Sequence, residues 1–131
     1  MKNTLFIFGL ILGAGACTGG HKAQTIDAKT FQSLIDTLPD EVVVDVRTSP
    51  ELVAGVISQA AIHMDYNGPD FEKQIDKLDK NKPVLLYCAT GGRSARAGTL
   101  LLKKGFKKVY NLDGGLNGWR AAGYSTAIVA Q

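Results

Sequence analysis

Cys88 is the residue of this chain best placed to do chemistry. It ends the apolar run Val84-Leu85-Leu86-Tyr87 and opens the segment Cys88-Ala89-Thr90-Gly91-Gly92-Arg93-Ser94. A buried strand that stops at a cysteine, followed by two glycines and a helix from about Ser94, sets the sulfur at a strand's carboxyl end, facing a helix N-terminus. Gly91 and Gly92 are expected to take positive φ without a Cβ in the way, so that the loop curls and its backbone N–H groups converge on the sulfur as an anion nest. A helix N-terminus favours an adjacent anion by about 1 kcal/mol, or about 2 when partly buried. That alone brings a thiol from about 8.5 to roughly 7 to 8. The N–H groups and the Arg93 guanidinium are expected to lower it further, giving a thiolate at neutral pH without a histidine base. The competing reading is a small buried hydrophobe, which is what most free cysteines are. Cys-His protease chemistry lacks its base, because the sequence offers no histidine near Cys88.

The elements that must hold this loop follow from periodicity. Ala28, Phe31, Leu34, Ile35 and Leu38 line one helical face, with Asp27 as N-cap and Pro39 as stop. Val42 to Val46, Val84 to Tyr87 and Val109 to Leu112 are short apolar runs suited to strands buried on both faces, and a weaker strand is expected near Ala61 to His63. Helical stretches lie between them: Phe71, Ile75 and Leu78 after Asp70, then Ala95, Gly98, Leu101 and Leu102 before Gly105. Alternating strand and helix predicts an α/β fold, a mostly parallel sheet with helices on both faces and chemistry at the strands' carboxyl ends.

At 131 residues, 45% hydrophobic and 21% charged, the chain suits one domain and excludes general disorder. The net charge is +3, with Lys and Arg scattered along the sequence, so no nucleic acid or other polyanion is expected as partner. The first residues read differently. Met1-Lys2-Asn3 followed by the apolar run Leu5 to Leu12 resembles a secretory signal too short to span a membrane. Ala14-Gly15-Ala16-Cys17 resembles a bacterial lipobox with Ala14 where leucine is usual, and also suits an ordinary small-residue cleavage site. The expected organisation is a signal peptide over 1–16, a lipid-anchored tether over 17–24 beginning at lipidated Cys17, a domain over 25–124 and a C-terminal tail over 125–131. Lipidation would place the chain on the periplasmic side of the cell envelope. Thr18 after Cys17 is not the Asp of an inner-membrane retention signal, which favours the outer membrane. Cys88 then remains the one thiol, with no disulfide, and His21 and His63 are too far apart to complete a metal site.

Cys-x-x-Gly-x-Arg-Ser after an apolar strand resembles the active-site loop of the rhodanese (sulfurtransferase) family. Asp45-Val46-Arg47 with Glu51 is similar to the family's Asp-x-Arg-x-x-x-Glu signature, and Asp113-Gly114-Gly115 with Trp119 to its closing Gly-Gly-x-x-x-Trp motif. The family often has Gly-His-Ile where this chain has Gly55-Val56-Ile57, a change read as one of packing. The resemblance covers roughly Thr25 to Tyr124 and implies a rhodanese-like fold on a five-stranded sheet. It implies Cys88 as nucleophile, a substrate-binding loop of Ala89, Thr90, Gly91, Gly92, Arg93 and Ser94, and no metal or organic cofactor. The activity implied is transfer of a sulfane sulfur from a donor such as thiosulfate, through a Cys88 persulfide, to cyanide, a small thiol or a thiol-bearing acceptor protein.

Two alternatives stand beside it. A Cys-based phosphatase or arsenate reductase resembles Cys-x5-Arg, whereas Cys88 to Arg93 is Cys-x4-Arg. A non-catalytic, lipid-tethered binding module on the same fold often lacks the cysteine that is present here. For the remaining residues the default is structural. Asp45 and Arg47 brace loops at a strand end, Glu51 pairs with Arg47 four residues away, Gly114 and Gly115 shape a turn, and Trp119 joins Leu116 in the core. His63 is left as structural. Arg93 either binds a substrate oxyanion with two hydrogen bonds or braces the loop.

Overall fold

The computed structural model describes residues 21–129. The signal peptide expected over 1–16 and the expected lipidation of Cys17 lie outside the described residues, as do residues 130–131. Five strands, β1 (Gln24–Ile26), β2 (Val42–Asp45), β3 (Ile62–His63), β4 (Val84–Tyr87) and β5 (Val109–Leu112), form one sheet in the order β1-β5-β4-β2-β3. Every pairing is parallel, where a mostly parallel sheet was expected. The helices are α1 (Ala28–Thr37), α2 (Phe71–Asp76), α3 (Gly92–Lys103) and α4 (Gly115–Ala121), with a 3-10 helix over Ser49–Ala54. The fold is rhodanese-like α/β.

Side-chain alternation along the central strand divides the core in two. Val84, Leu86 and Cys88 face the α2 and α3 side, where they join Phe71, Ile75, Ala97 and Leu101. Leu85 and Tyr87 face the other side, with Phe31, Leu116 and Trp119. The period of two that buries Leu86 under α3 therefore also sends the Cys88 side chain toward that helix. Sheet order supplies the crevice. From β2 the chain runs outward to β3, from β4 it runs the opposite way to β5, and β2 and β4 are neighbours. Loops leaving adjacent strands in opposite directions open a cleft at their carboxyl ends, and Asp45 to Arg47 and Cys88 both lie there.

Helix α1 forms as expected: the Asp27 carboxylate accepts the Thr30 N–H at 2.7 Å and Leu38 is the C-cap before Pro39. Helix α3 starts at Gly92, ahead of the expected Ser94, and its inward stripe is Ser94, Ala97, Gly98 and Leu101. Ala95, expected inside, is exposed because Ser94 takes the inward position. Strand β1 had no counterpart in the apolar runs, since only Ile26 of its three residues is buried. It forms as an edge strand on β5, with Ile26 opposite Leu112. Gln24, placed in the tether by sequence, thus belongs to the sheet. Residues 125–129 return to the domain: Ala127 pairs with Val56 in an antiparallel bridge, and the Ser125 carbonyl accepts the Trp119 indole N–H at 2.8 Å.

Two glycines of α3 test this packing. A Cβ on Gly98 would stand 2.5 Å from the Ala23 Cβ, whereas one on Gly92 would meet nothing within 4 Å, and neither has positive φ. Gly98→Ala is expected to lower unfolding free energy by about 1 to 3 kcal/mol through overpacking. Gly92→Ala is expected to leave it unchanged or raise it by up to about 1 kcal/mol. Urea unfolding of both variants checks the contrast.

Candidate active site

The site begins with the turn after β4. Gly91 is the N-cap of α3 in the left-handed region, φ 102°, and a Cβ there would lie 3.4 Å from the Leu112 carbonyl oxygen. Gly92 is an ordinary helical residue, so one glycine and not two supplies the positive φ. With this turn made, the Gly91 N–H donates to Cys88 Sγ at 3.1 Å and the Ser94 hydroxyl donates to it at 3.3 Å. Cys88 is 1% exposed. Burial pushes its thiol up. Hydrogen bonds from the Ser94 hydroxyl and from the backbone N–H groups of Ser94, Gly91 and Thr90 outweigh burial, so the thiol lies below its ordinary value. The thiolate is thus stabilised by aimed donors in a nearly water-free position.

Donors can point inward only if carbonyls on the same turn find partners elsewhere. Helix α4 provides them: Leu116 N–H donates to the Cys88 carbonyl at 2.8 Å and Asn117 N–H to that of Ala89 at 3.1 Å. The approach is so close that a Cβ on Gly115 would fall 2.5 Å from the Cys88 oxygen, and Gly114 and Gly115 both have positive φ. Gly114 and Gly115 therefore act on the sulfur through the loop's backbone. Trp119 anchors the same helix, 2% exposed and edge-on to Phe31 at 6.2 Å.

Asp45, Arg47, Glu51 and Arg93 form a chain of contacts, and one link differs from expectation. Arg47 pairs with Asp45, at 2.9 Å through Nε and 2.6 Å through Nη2, and donates to the carbonyls of Glu51 and Gly55. Burial works against the Arg47 charge, but the Asp45 hydrogen bonds outweigh it and hold the group above its ordinary value. The expected Arg47–Glu51 ion pair does not form. Asp45 is nearer and buried, and the Glu51 carboxylate turns instead to Arg93, with both guanidinium nitrogens at 2.8 Å. Glu51 also closes a capping box on Thr48. The Arg93 bonds, followed by those from Thr48 and opposed by burial, hold the Glu51 carboxyl at about 2.

His63 Nε2 contacts the Arg47 carbonyl at 2.6 Å, in keeping with a structural role. A cavity of about 380 Å³ is lined by Asp45, Leu52, Val56, Ser58, Gln59, Ala61, His63 and Val129 and does not include Cys88. The sulfur, and not this cavity, has the converging donors. Among the described residues no cluster of three or more His, Cys, Asp or Glu could hold a metal ion. The supporting N–H groups of Leu116 and Asn117 carry no side-chain signature, and the Glu51–Arg93 pair spans 42 residues, beyond any local spacing rule.

Residues 27–122 match the rhodanese-like domain family. The chain is similar to the thiosulfate sulfurtransferase GlpE of Pseudomonas fluorescens, 40% identical over 60% of this chain and 70% of that one. It is also similar to the tRNA uridine(34) hydroxylase of Pelagibacter ubique, 34% identical over 80% of this chain, and spans only 35% of that protein. Among solved structures it superposes on a polysulfide-sulfur transferase homodimer of Wolinella succinogenes with TM-score 0.70 and 31% identity, covering 83% of this chain and 81% of that one.

The Glu51–Arg93 pair generates a pH test. A carboxyl held near 2 when folded and near 4.3 when unfolded adds stability above the unfolded value and loses it as pH falls through about 2. Glu51→Gln is expected to cost about 1 kcal/mol at pH 7, allowing for partial solvent screening. The gap to the parent chain should close between pH 4.5 and 2, as read by denaturant midpoints at a series of pH values.

Proposed function

The chain belongs to the rhodanese-like domain family, and from that premise we propose that it moves a sulfane sulfur through a persulfide on Cys88. The observation that carries this reading is a nearly buried sulfur receiving the Gly91 N–H and the Ser94 hydroxyl, with its thiol held low by them. The Cys88 thiolate attacks the outer sulfur of a donor such as thiosulfate; the donor's S–S bond breaks and its electron pair leaves with sulfite. The new terminal sulfur carries the negative charge, and the N–H groups of the Thr90 to Ser94 turn are suited to hold it. A thiophilic acceptor then attacks that sulfur, and the electron pair returns to Cys88 Sγ. Cyanide, a small thiol or a cysteine of a partner protein meets this requirement equally.

The arrangement supports sulfur over phosphorus. Both Arg93 nitrogens that would clasp a tetrahedral oxyanion are held by Glu51, so Arg93 is read as a loop brace. The short Cys88 to Arg93 segment agrees, and the Gly91 N–H and Ser94 hydroxyl meet one sulfur atom rather than three oxygens. Incubating the full chain with thiosulfate is expected to add one sulfur atom to its intact mass, removed again by cyanide, while Cys88→Ser gains none. Hydrolysis of phosphate esters through Cys88 as ready as sulfur uptake would overturn the assignment, as would uptake that survives in Cys88→Ser.

We also propose, from residues 1–17 alone, that this activity is carried on a lipid anchor at Cys17. Fractionated cells should show the full chain in membranes and Cys17→Ala in the soluble fraction; a soluble parent chain with a free Cys17 thiol would refute the anchor and leave the enzyme reading intact.

A further inference from the structure

Among the described residues the buried polar side chains are those of Asp45, Arg47, Ser94 and Asn111. Asp45 and Arg47 satisfy each other, and Ser94 bonds the sulfur. Asn111 is left over. It is the polar member of the buried strand Val109-Tyr110-Asn111-Leu112, 3% exposed, and its side-chain oxygen has no hydrogen-bond partner. An orphaned buried carbonyl is destabilising, and an aliphatic side chain in this strand would avoid it. Stability therefore gives no reason for an amide here.

The other half of that amide points at the cradle. Asn111 Nδ2 lies 3.5 Å from the Gly91 carbonyl oxygen and 3.4 Å from Thr25 Oγ1, both long, weak hydrogen bonds. The Gly91 carbonyl also accepts the Ala95 N–H at 3.1 Å and lies 3.2 Å from Ser94 Oγ, whose single proton it shares with Cys88 Sγ. Ser94 and Ala95 belong to α3 and move with it, so they cannot set the turn relative to the sheet. Asn111 belongs to β5, which neighbours β4 and its terminal Cys88.

We propose that Asn111 is a positioning residue for Cys88: its amide ties the Gly91 carbonyl to the sheet and so keeps the left-handed Gly91 turned with its N–H on the sulfur. Fixing the carbonyl restricts ψ of Gly91, and the N–H that meets Sγ at 3.1 Å is one residue plane away. The inference rests on Cys88 being the nucleophile. Its readout, the thiolate itself, does not depend on which donor or acceptor is used.

The experiment measures alkylation rate of Cys88 against pH in the full chain, together with thermal unfolding. Asn111→Leu removes both the tether and the orphaned oxygen. Its apparent thiol pKa is expected to rise by about half a unit, which slows alkylation about threefold on the acid side of the titration, while its melting temperature stays level or rises. A residue of merely structural value would lower the melting temperature and leave the titration in place. Asn111→Ser, too short to reach Gly91, is expected to shift the pKa in the same direction and decides the matter if Asn111→Leu does not fold. Thr25→Val removes the amide's other partner and should leave the titration unmoved. The proposal is overturned if either folded Asn111 variant keeps the parent titration, if Thr25→Val shifts it as far, or if neither Asn111 variant folds. A raised pKa in a protein that takes no sulfur from thiosulfate would uphold the positioning role and refute the sulfur-transfer reading.

Discussion

A negatively charged sulfur that is almost wholly withdrawn from water has to be stabilised by dipoles already in place, and most of the structure around Cys88 can be understood from that requirement. Burial alone would push the thiol up, in the direction that silences a nucleophile. The opposing donors are individually modest and work only if aimed. Aiming them constrains the turn: one residue must be left-handed, the carbonyls of Cys88 and Ala89 must face away, and a second helix must come close enough to receive them. Gly91, Gly114 and Gly115 are each explained by one of these demands.

A second set of contacts keeps the helix carrying the donors from drifting. It starts with a buried charge pair, Asp45 and Arg47, each about 2% exposed at the side chain. Loss of one partner from such a pair leaves an uncompensated buried charge and costs about 3 to 5 kcal/mol. Arg47 spreads that rigidity into the 3-10 helix through two carbonyls, and Glu51 on that helix clasps Arg93 at the start of α3. Four charged side chains therefore connect the end of β2 to the start of α3, and the last of them, Arg93, is also favoured by the Cys88 sulfur.

Much of this was legible in the sequence, for reasons that differ by residue. The apolar runs of β2, β4 and β5 and the capped helix α1 follow local rules of pattern, and so does the placement of Cys88 between a buried strand and a helix. Strand β1 escaped because three residues with one buried side chain have no periodicity. Helix α3 begins two residues before the Ser94 that the sequence suggests, and Ser94, bonded to the sulfur, heads the inward stripe of Ala97, Gly98 and Leu101 and leaves Ala95 outside. Glu51 was assigned to Arg47 by the four-residue rule; the outcome depended on Asp45 already occupying that guanidinium, a competition among three groups that spacing does not express. Asn111 did have a visible mark, a lone amide in an otherwise apolar strand, but its meaning needed the position of Gly91.

The return of residues 125–129 has a mechanical consequence. The antiparallel bridge from Ala127 to Val56 closes on the residue next to Gly55, whose carbonyl is one of the two that Arg47 grips. Tension applied to the chain after Val129 would therefore meet first the Gln59 side chain, which donates to the Ile128 carbonyl, and then Val56, beside the 3-10 helix that carries Glu51. A load at this end would thus fall on the seam beside Gly55, whose carbonyl Arg47 holds, and on the Trp119 indole through Ser125, ahead of the strands of the sheet.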